Sequence, residues 1–464
     1  MKNFVVLFFI LVTLNVNLYS QNLFDVRSMS MGNTSAASSF DLDAFNQNPA
    51  NIIKQRSNNK ALFYFNIVTN AGVFINSNYL SLDFYNDYFT KDADGNTRFL
   101  TDEDKNNIIN EAGDQPVNFL GSTKILSAIY NSKKTGTFGI SLNEKTNGNF
   151  TAGKDFLQLA LYGNQTNTFY NLSNNILNDY WIRELNLTYA NTFISKSNKL
   201  FDEISYGVSV KPQFGIYYLN TQSNNLKVYT NDSNVIQGSG SMEFLYSGLT
   251  DDNSFKYSTD KVGFGLGFDI GVNSRIKNFS KNGQLNVGLS IIDIGYVNWS
   301  RNTFKYFYNG NYVITDITQK SQIDSLKDQI KGTKTPTADF TTGLPTTLRF
   351  GISYKLFTGK NKKDSLNLET FNLAVDYVQG FNDNLGGTTK PIIGIGAEYN
   401  VTKVLSPRAG FVFGGREKFV MSIGLGIDTG PVIIDIGTYN VSSLFTPKST
   451  SKYSAGVNIK FKIN

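Results

Sequence analysis

The residues that carry most neutral-pH catalysis are thin in this chain. Its 464 residues include no His and no Cys. That removes the commonest general base, the commonest zinc ligand and any thiolate nucleophile. A serine nucleophile would need a lysine base, and no local Ser–Lys signature is present. Two glycine series, Gly263-x-Gly265-x-Gly267 and Gly424-x-Gly426-x-x-x-Gly430, superficially suggest phosphate-cradling loops. Such loops need a strand before them and a helix after them, whereas these glycines lie within alternating, strand-like runs. Asp92-Ala93-Asp94-Gly95-Asn96 resembles part of a calcium loop. With Gly95 at position six, position twelve falls on Thr101, where a bidentate Glu is wanted, so a polar turn fits better. The residues therefore point away from an enzyme, and no cofactor or metal is expected.

The remaining chemistry is charge on one face of extended chain. Lys211, Asp269, Arg349, Lys355, Asp376, Glu398, Arg408 and Lys460 all fall on the polar side of two-periodic segments. Phe264, Leu266, Phe268, Ile270 and Val272 alternate with Gly265, Gly267, Asp269 and Gly271. The same holds from Thr347 to Leu356, from Phe419 to Asp428 and from Tyr453 to Ile463. These runs are about ten residues long, the length a tilted strand needs to cross a bilayer, against ~5–6 for an ordinary strand. Composition agrees. Charged residues make up 17% and aromatics 14%, with 37 Phe, 25 Tyr, 40 Gly and 9 Pro. A soluble surface usually carries ~25% charge. Mean hydropathy is −0.23, too low for a bundle of apolar helices. The pattern predicts an all-β fold, a transmembrane antiparallel β-barrel with an oily exterior and a polar lumen. The net charge of +6 is scattered without a basic cluster, so no nucleic-acid partner is expected.

Lys2, the apolar run Phe4 to Leu14, and Leu18-Tyr19-Ser20 before Gln21 read as a secretory signal over residues 1–20. Residues 21–57 lack strand period and form a separate N-terminal piece. The barrel is expected over 58–464, with long insertions at 86–121 and 300–343 that carry short helices. One helix starts at the capping box Thr101-x-x-Asp104 and runs through Ile108 and Ile109. The other presents Ile323, Leu326 and Ile330 before Gly332. Pro212 lies inside a strand-like run and suggests a bulge or kink.

The text from Met29-Ser30-Met31-Gly32-Asn33-Thr34 through Asp41-Leu42-Asp43-Ala44-Phe45-Asn46-Gln47-Asn48-Pro49-Ala50 resembles the N-terminal hatch of FadL-type outer-membrane transporters and the related PorV-like barrels of type IX secretion. Later fragments agree: Gly265 to Gly271, Asp293-Ile294-Gly295-Tyr296-Val297-Asn298-Trp299, and Leu344-Pro345. The resemblance implies about 14 strands, an N-terminal plug built around Asn46, Asn48, Pro49 and Ala50, and both termini in the periplasm of a Gram-negative cell. It also implies a C-terminal signal for the barrel-assembly machinery at Gly456, Ile459 and Phe461, although the chain ends on Asn464 rather than an aromatic. Its expected location is the outer membrane, with the barrel surrounded by outer-membrane lipid. Two functions follow from the resemblance. One is passage of a hydrophobic or amphipathic small molecule under control of the hatch. The other is a PorV-like interaction barrel serving a secretion complex or other envelope machine. A continuous aromatic-lined pocket would favour the first; a filled lumen beneath apolar outer loops would favour the second.

Overall fold

A computed structural model describes residues 25–463 apart from 55–60, 92–94, 97, 133, 194–199, 249–260, 277–278, 317–318, 323, 326–331, 361–366 and 416–417. The predicted signal segment, the core of the calcium-like turn and most of the helix around Ile323 and Leu326 lie outside the described residues.

Fourteen long antiparallel strands follow one another around a ring. They are β1 Phe63–Asn76, β2 Pro116–Ser132, β3 Gly136–Thr151, β4 Ile176–Phe193, β5 Phe201–Asn224, β6 Gly263–Ile276 and β7 Gly283–Trp299. The second half comprises β8 Thr347–Lys360, β9 Asn367–Gly380, β10 Ile392–Tyr399, β11 Leu405–Gly414, β12 Lys418–Asp428, β13 Val432–Thr438 and β14 Lys452–Ile463. Each pairs with the next, and β14 pairs back onto β1 with Phe63 opposite Ile463. The sheet is therefore a closed barrel without a free edge, which is the one way a sheet satisfies its backbone in lipid.

Side chains sort by parity. On β8, Phe350 and Ile352 are each 41% exposed, while Arg349 and Ser353 on either side of them are buried at 2% and 0%. On β6, Phe268, Ile270 and Val272 point out and Asp269 and Asn273 point in. An exterior of Phe, Ile, Leu and Val around a polar interior is the inverse of a soluble sandwich, and it makes this a membrane-spanning barrel. Connections are equally one-sided. At the end holding Phe63 and Ile463 they are short, as at 133–135, 400–404 and 429–431. At the other end most run long, as at 77–115, 225–262 and 300–346, with 415–417 the short exception. We call these the inner and outer ends.

The insertions differ from expectation in extent. Residues 116–121 belong to β2, because Val117 and Phe119 continue its alternation, so the first insertion begins after Asn76 and stops at Gln115. The 300–346 segment holds three strands, Thr303–Ile314, Thr333–Pro336 and Phe340–Gly343. The first of these pairs with Ile236–Ser247, which extends the wall above β5. The helix Asp102–Ala112 starts where expected. The Thr101 hydroxyl accepts from Asp104 N–H, and the Asp104 carboxylate accepts from Thr101 N–H at 2.9 Å, a bond that holds that carboxyl below its ordinary range. Pro212 makes no bulge. The register of β4 with β5 is the same on either side of it, and only the rungs at Leu185 and Asn186 are missing, as expected where a ring nitrogen cannot donate. Between β4 and β5 the bulge lies four residues on, at Ile216, and β7 carries another between Ile291 and Ile294.

Candidate functional site in the barrel interior

Residues 25–52 lie against the inward faces of the strands and are buried throughout. A short helix, Val26–Ser30, is capped by the Asp25 carboxylate, which accepts from Arg27 and Ser28 N–H at 3.1 and 2.8 Å. Two 3₁₀ turns follow, Asp41–Ala44 and Pro49–Ile53. Asn48 precedes the second in an extended conformation. Its side-chain oxygen accepts from Ala50 N–H at 3.1 Å, and its amide donates to Ala36 O at 2.7 Å and to Val272 O on β6 at 3.0 Å. Pro49 sits at the first position of that turn, where its missing N–H costs nothing. Asn46 adopts φ 60° and accepts from Asn186 of β4 at 3.1 Å.

The wall admits this segment because glycine stands where the two meet. A Cβ on Gly288 of β7 would lie 2.0 Å from Ala36 O, on Gly394 of β10 2.2 Å from Gly32 O, and on Gly410 of β11 2.1 Å from Gly32 N. Gly207 and Gly271 meet Pro49 and Asn48 in the same way. A side chain would collide with backbone at all of these places except Gly271, where it would strike the Asn48 amide and the Pro49 ring. Polar bonds then fix the segment. Asp376 of β9 accepts from the N–H groups of Ser35 and Ala36 at 2.7 Å each, and Ser422 of β12 accepts from Gly32 N–H at 2.9 Å. Arg27 pairs with Glu398 of β10 at 3.0 Å, and Lys460 of β14 reaches Asp43 at 2.6 Å. Arg408 joins these two pairs into one network through Glu398 and Asp435, both at 2.6 Å. Buried charges survive only where partnered in this way.

A second charged cluster lies on β3 to β7. Lys211 contacts Asp293, Asp269 at 2.9 Å and Glu184 at 3.5 Å, and Lys145 pairs with Glu184 at 2.6 Å. Asp293 is the bulge residue, with φ 56°, and its N–H donates to Asp269 at 2.8 Å. Past the bulge, β7 leaves β8 and pairs with Phe340–Gly343. Next comes a packed apolar group of Tyr180, Tyr218, Trp299, Leu344 and Leu385, followed by a polar cleft of about 240 Å³ at the outer mouth.

All the charges expected on inward faces are there, from Lys211 to Lys460, with Lys355 half-buried and the others buried. Arg27, Lys124, Lys145 and Glu184 join them and were not anticipated. Of the two glycine series, only Gly424 meets the N-terminal segment, at Ser30. Gly265 and Gly267 face β7 and Leu344, and Gly430 faces open space. Gly456 packs against Met29 and Val26. Ile459 and Phe461 lie on the opposite parity of β14, with Phe461 stacked on Phe65 across the seam at 5.2 Å.

One charged pair faces outward. Glu144 of β3 is opposite Arg183 of β4; Arg183 Nε donates to one of its oxygens and the Trp181 indole to the other, each at 2.5 Å.

A family model matches residues 49–432, most of the barrel. The chain belongs to DUF5723, a family of unknown function. No curated protein is similar to it at a significant level. Among solved structures, this DUF5723 chain is similar to a TodX monoaromatic hydrocarbon channel deltaS2 mutant, at 12% identity and a TM-score of 0.49, covering 96% of this chain and 100% of that one. It is also similar to the Pseudomonas putida toluene transporter TodX, at 10% identity and a TM-score of 0.44, covering 96% and 98%. A Pseudomonas aeruginosa FadL homologue aligns at 12% identity and a TM-score of 0.42, covering 97% and 100%.

Proposed function

We propose that this protein is an outer-membrane barrel that passes a hydrophobic or amphipathic small molecule, and that residues 21–57 are its hatch. In this reading Asn46, Asn48, Pro49 and Ala50 form the rigid turn of the hatch. The inner end faces the periplasm, and Gly456, Ile459 and Phe461 present the assembly signal. The observation that carries the proposal is the fit of segment 25–53 to the glycine-bearing wall. It closes the interior with small residues and polar bonds, and nothing covalent holds it apart from its own link to β1. The channels named above take monoaromatic hydrocarbons, a chemistry in keeping with an apolar cargo. Deleting residues 22–55 tests the hatch. Liposomes carrying the truncated barrel should leak small solutes that the intact protein retains. Equal, low permeability would remove the hatch from this account.

A second reading, an interaction barrel serving an envelope complex, draws on the filled interior together with the apolar outer loops above it. Leu82, Tyr85, Phe89, Phe99, Leu444 and Phe445 are all exposed there, and Phe445 is 75% accessible. Replacing Tyr85, Phe89 and Phe445 with Ser should abolish a partner's capture if that surface docks one, while leaving permeability of the truncated barrel unchanged.

A further inference from the structure

The polar cleft at the outer mouth is lined chiefly by side-chain amides. Asn147 and Asn149 come from β3, Asn178 from β4 and Asn220 from β5, with Thr342 and Asn384 opposite. The Asn147 side chain makes no hydrogen bond to a described residue and opens onto the cleft, so its amide is available to a guest. Its neighbours are oriented by their own bonds. Asn178 Oδ1 accepts from Asn220 Nδ2 at 3.1 Å and Thr221 N–H at 2.9 Å, which turns its amide donors away from that contact. Asn149 donates to Asn118 at 2.8 Å and keeps its carbonyl as an acceptor. Thr342 Oγ1 accepts from the Trp299 indole at 2.9 Å, so its proton is left to donate. Neutral donors and acceptors are thus interleaved around the cleft.

Charge narrows the guest further. Among the described residues no Lys or Arg lines the cleft, and Asp383 stands at it. Asp383 is engaged by Thr389 N–H at 3.0 Å. An anion is disfavoured. The Tyr180 and Tyr218 rings line it and offer apolar faces, with Tyr218 backed by Trp299 at 5.1 Å. One wall is the loop carrying Leu385, which holds φ 44°, ψ 45° with its carbonyl accepting from the Tyr180 hydroxyl. Such a left-handed, non-glycine residue persists only where its surroundings over-determine it, so the wall is fixed before a guest arrives. At about 240 Å³ the cleft is smaller than the ~300–1,000 Å³ of drug-sized sites. It suits a single ring.

We infer that this cleft binds a neutral polyhydroxylated ring, a single sugar unit, through the amides of Asn147, Asn149 and Asn178 and the faces of Tyr180 and Tyr218. Hydroxyl groups need donors and acceptors together, which amides supply without charge, and C–H faces pack on aromatic rings. The inference does not rest on passage through the barrel. Its test is calorimetric titration of the full chain in lauryldimethylamine oxide, a sugar-free detergent, with glucose, N-acetylglucosamine, glucuronate and toluene as separate probes. Saturable binding of at least one neutral sugar is expected, with glucuronate weaker by about tenfold or more, a difference of ~1.4 kcal/mol. N147L and N178L should each weaken the neutral sugar by a similar factor, with both variants still running as folded barrels on unheated gels. N178L, at the half-exposed rim, keeps the test sound should N147L fail to fold. Absence of saturation by either neutral sugar, preference for toluene, or unchanged affinity in N178L would overturn the assignment.

Discussion

The outward pair Glu144–Arg183 allows the lipid-facing assignment to be tested quantitatively. Glu144 lies eight residues above Gly136, the inner end of β3. At ~3.3 Å per residue and a tilt of ~40° that is about 20 Å up the wall, within the outer half of an apolar belt ~25 Å tall. An unpaired Arg costs ~2–4 kcal/mol at the midplane and falls toward ~0–1 at the interface. At this depth E144L should therefore lose about 2 kcal/mol for the stranded guanidinium, and about 1 more for the Trp181 indole left without its acceptor. R183L strands a carboxylate that keeps its indole bond, and Asp and Glu are the milder intruders in lipid, so its cost should be nearer 1 kcal/mol. The double variant removes both charges and should return to within about 1 kcal/mol of the parent, because replacing an ion pair by apolar residues is close to neutral. Urea unfolding of the protein reconstituted in vesicles, read as the loss of heat-modifiable mobility on gels, supplies all four corners of the cycle. If the double variant loses the sum of the singles, or if neither single is destabilised, this face does not meet hydrocarbon.

Two further outcomes follow from the two sides of the wall. F268R and I423R, both on the outward parity, should each cost ~2–4 kcal/mol in the same assay, whereas S422R should leave the barrel inserted and instead expose the N-terminal segment to protease, because Ser422 holds Gly32 N–H. G394V places branched carbons where Gly32 O already stands 2.2 Å from the Cβ position, so it should expel segment 25–53 and raise liposome permeability while keeping heat-modifiability; an unchanged digestion pattern would contradict the close packing.

Much of the wall was legible because parity is a strong signal when one face is uniformly apolar. Along 264–272 of β6, 348–356 of β8, and through β12 and β14, each second residue is Phe, Ile, Leu, Tyr, Val or Met, with Ala455 the small exception, and the structure keeps those registers. The strands β3 and β4 gave no such signal. Glu144-Lys145 and Arg183-Glu184 are adjacent charges, so whichever face turns inward, one charge of each pair is left outside. Only the neighbouring Ser141, Asn143 and Asn186, all buried, decide that Lys145 and Glu184 go in. The insertions at 152–175 and 225–262 were not anticipated; they carry the helix Lys154–Tyr162 and the short strands Thr168–Asn171, Lys227–Thr230 and Ile236–Ser247. Pro212 misled for a different reason. A lost N–H breaks rungs, and a bulge needs an extra residue, which β5 does not have there. The outer cleft had no signature at all, since its amides come from three separate strands and one loop.

The segment inside the ring also says something about the order in which the protein is made and folded. Arg27 finds Glu398 371 residues later in the chain, and Asp43 finds Lys460 417 residues later. The first described residues therefore hold buried charges whose partners belong to the last strands to be synthesised. Until β10 to β14 are in place, Arg27, Asp41 and Asp43 must stay solvated, and an early burial of the segment would strand them. Contacts of such long sequence separation form late and slowly. Closure of β14 onto β1 and the seating of the segment are thus one consolidating step, and the barrel matures by shutting around a piece of itself made long before the strands that enclose it.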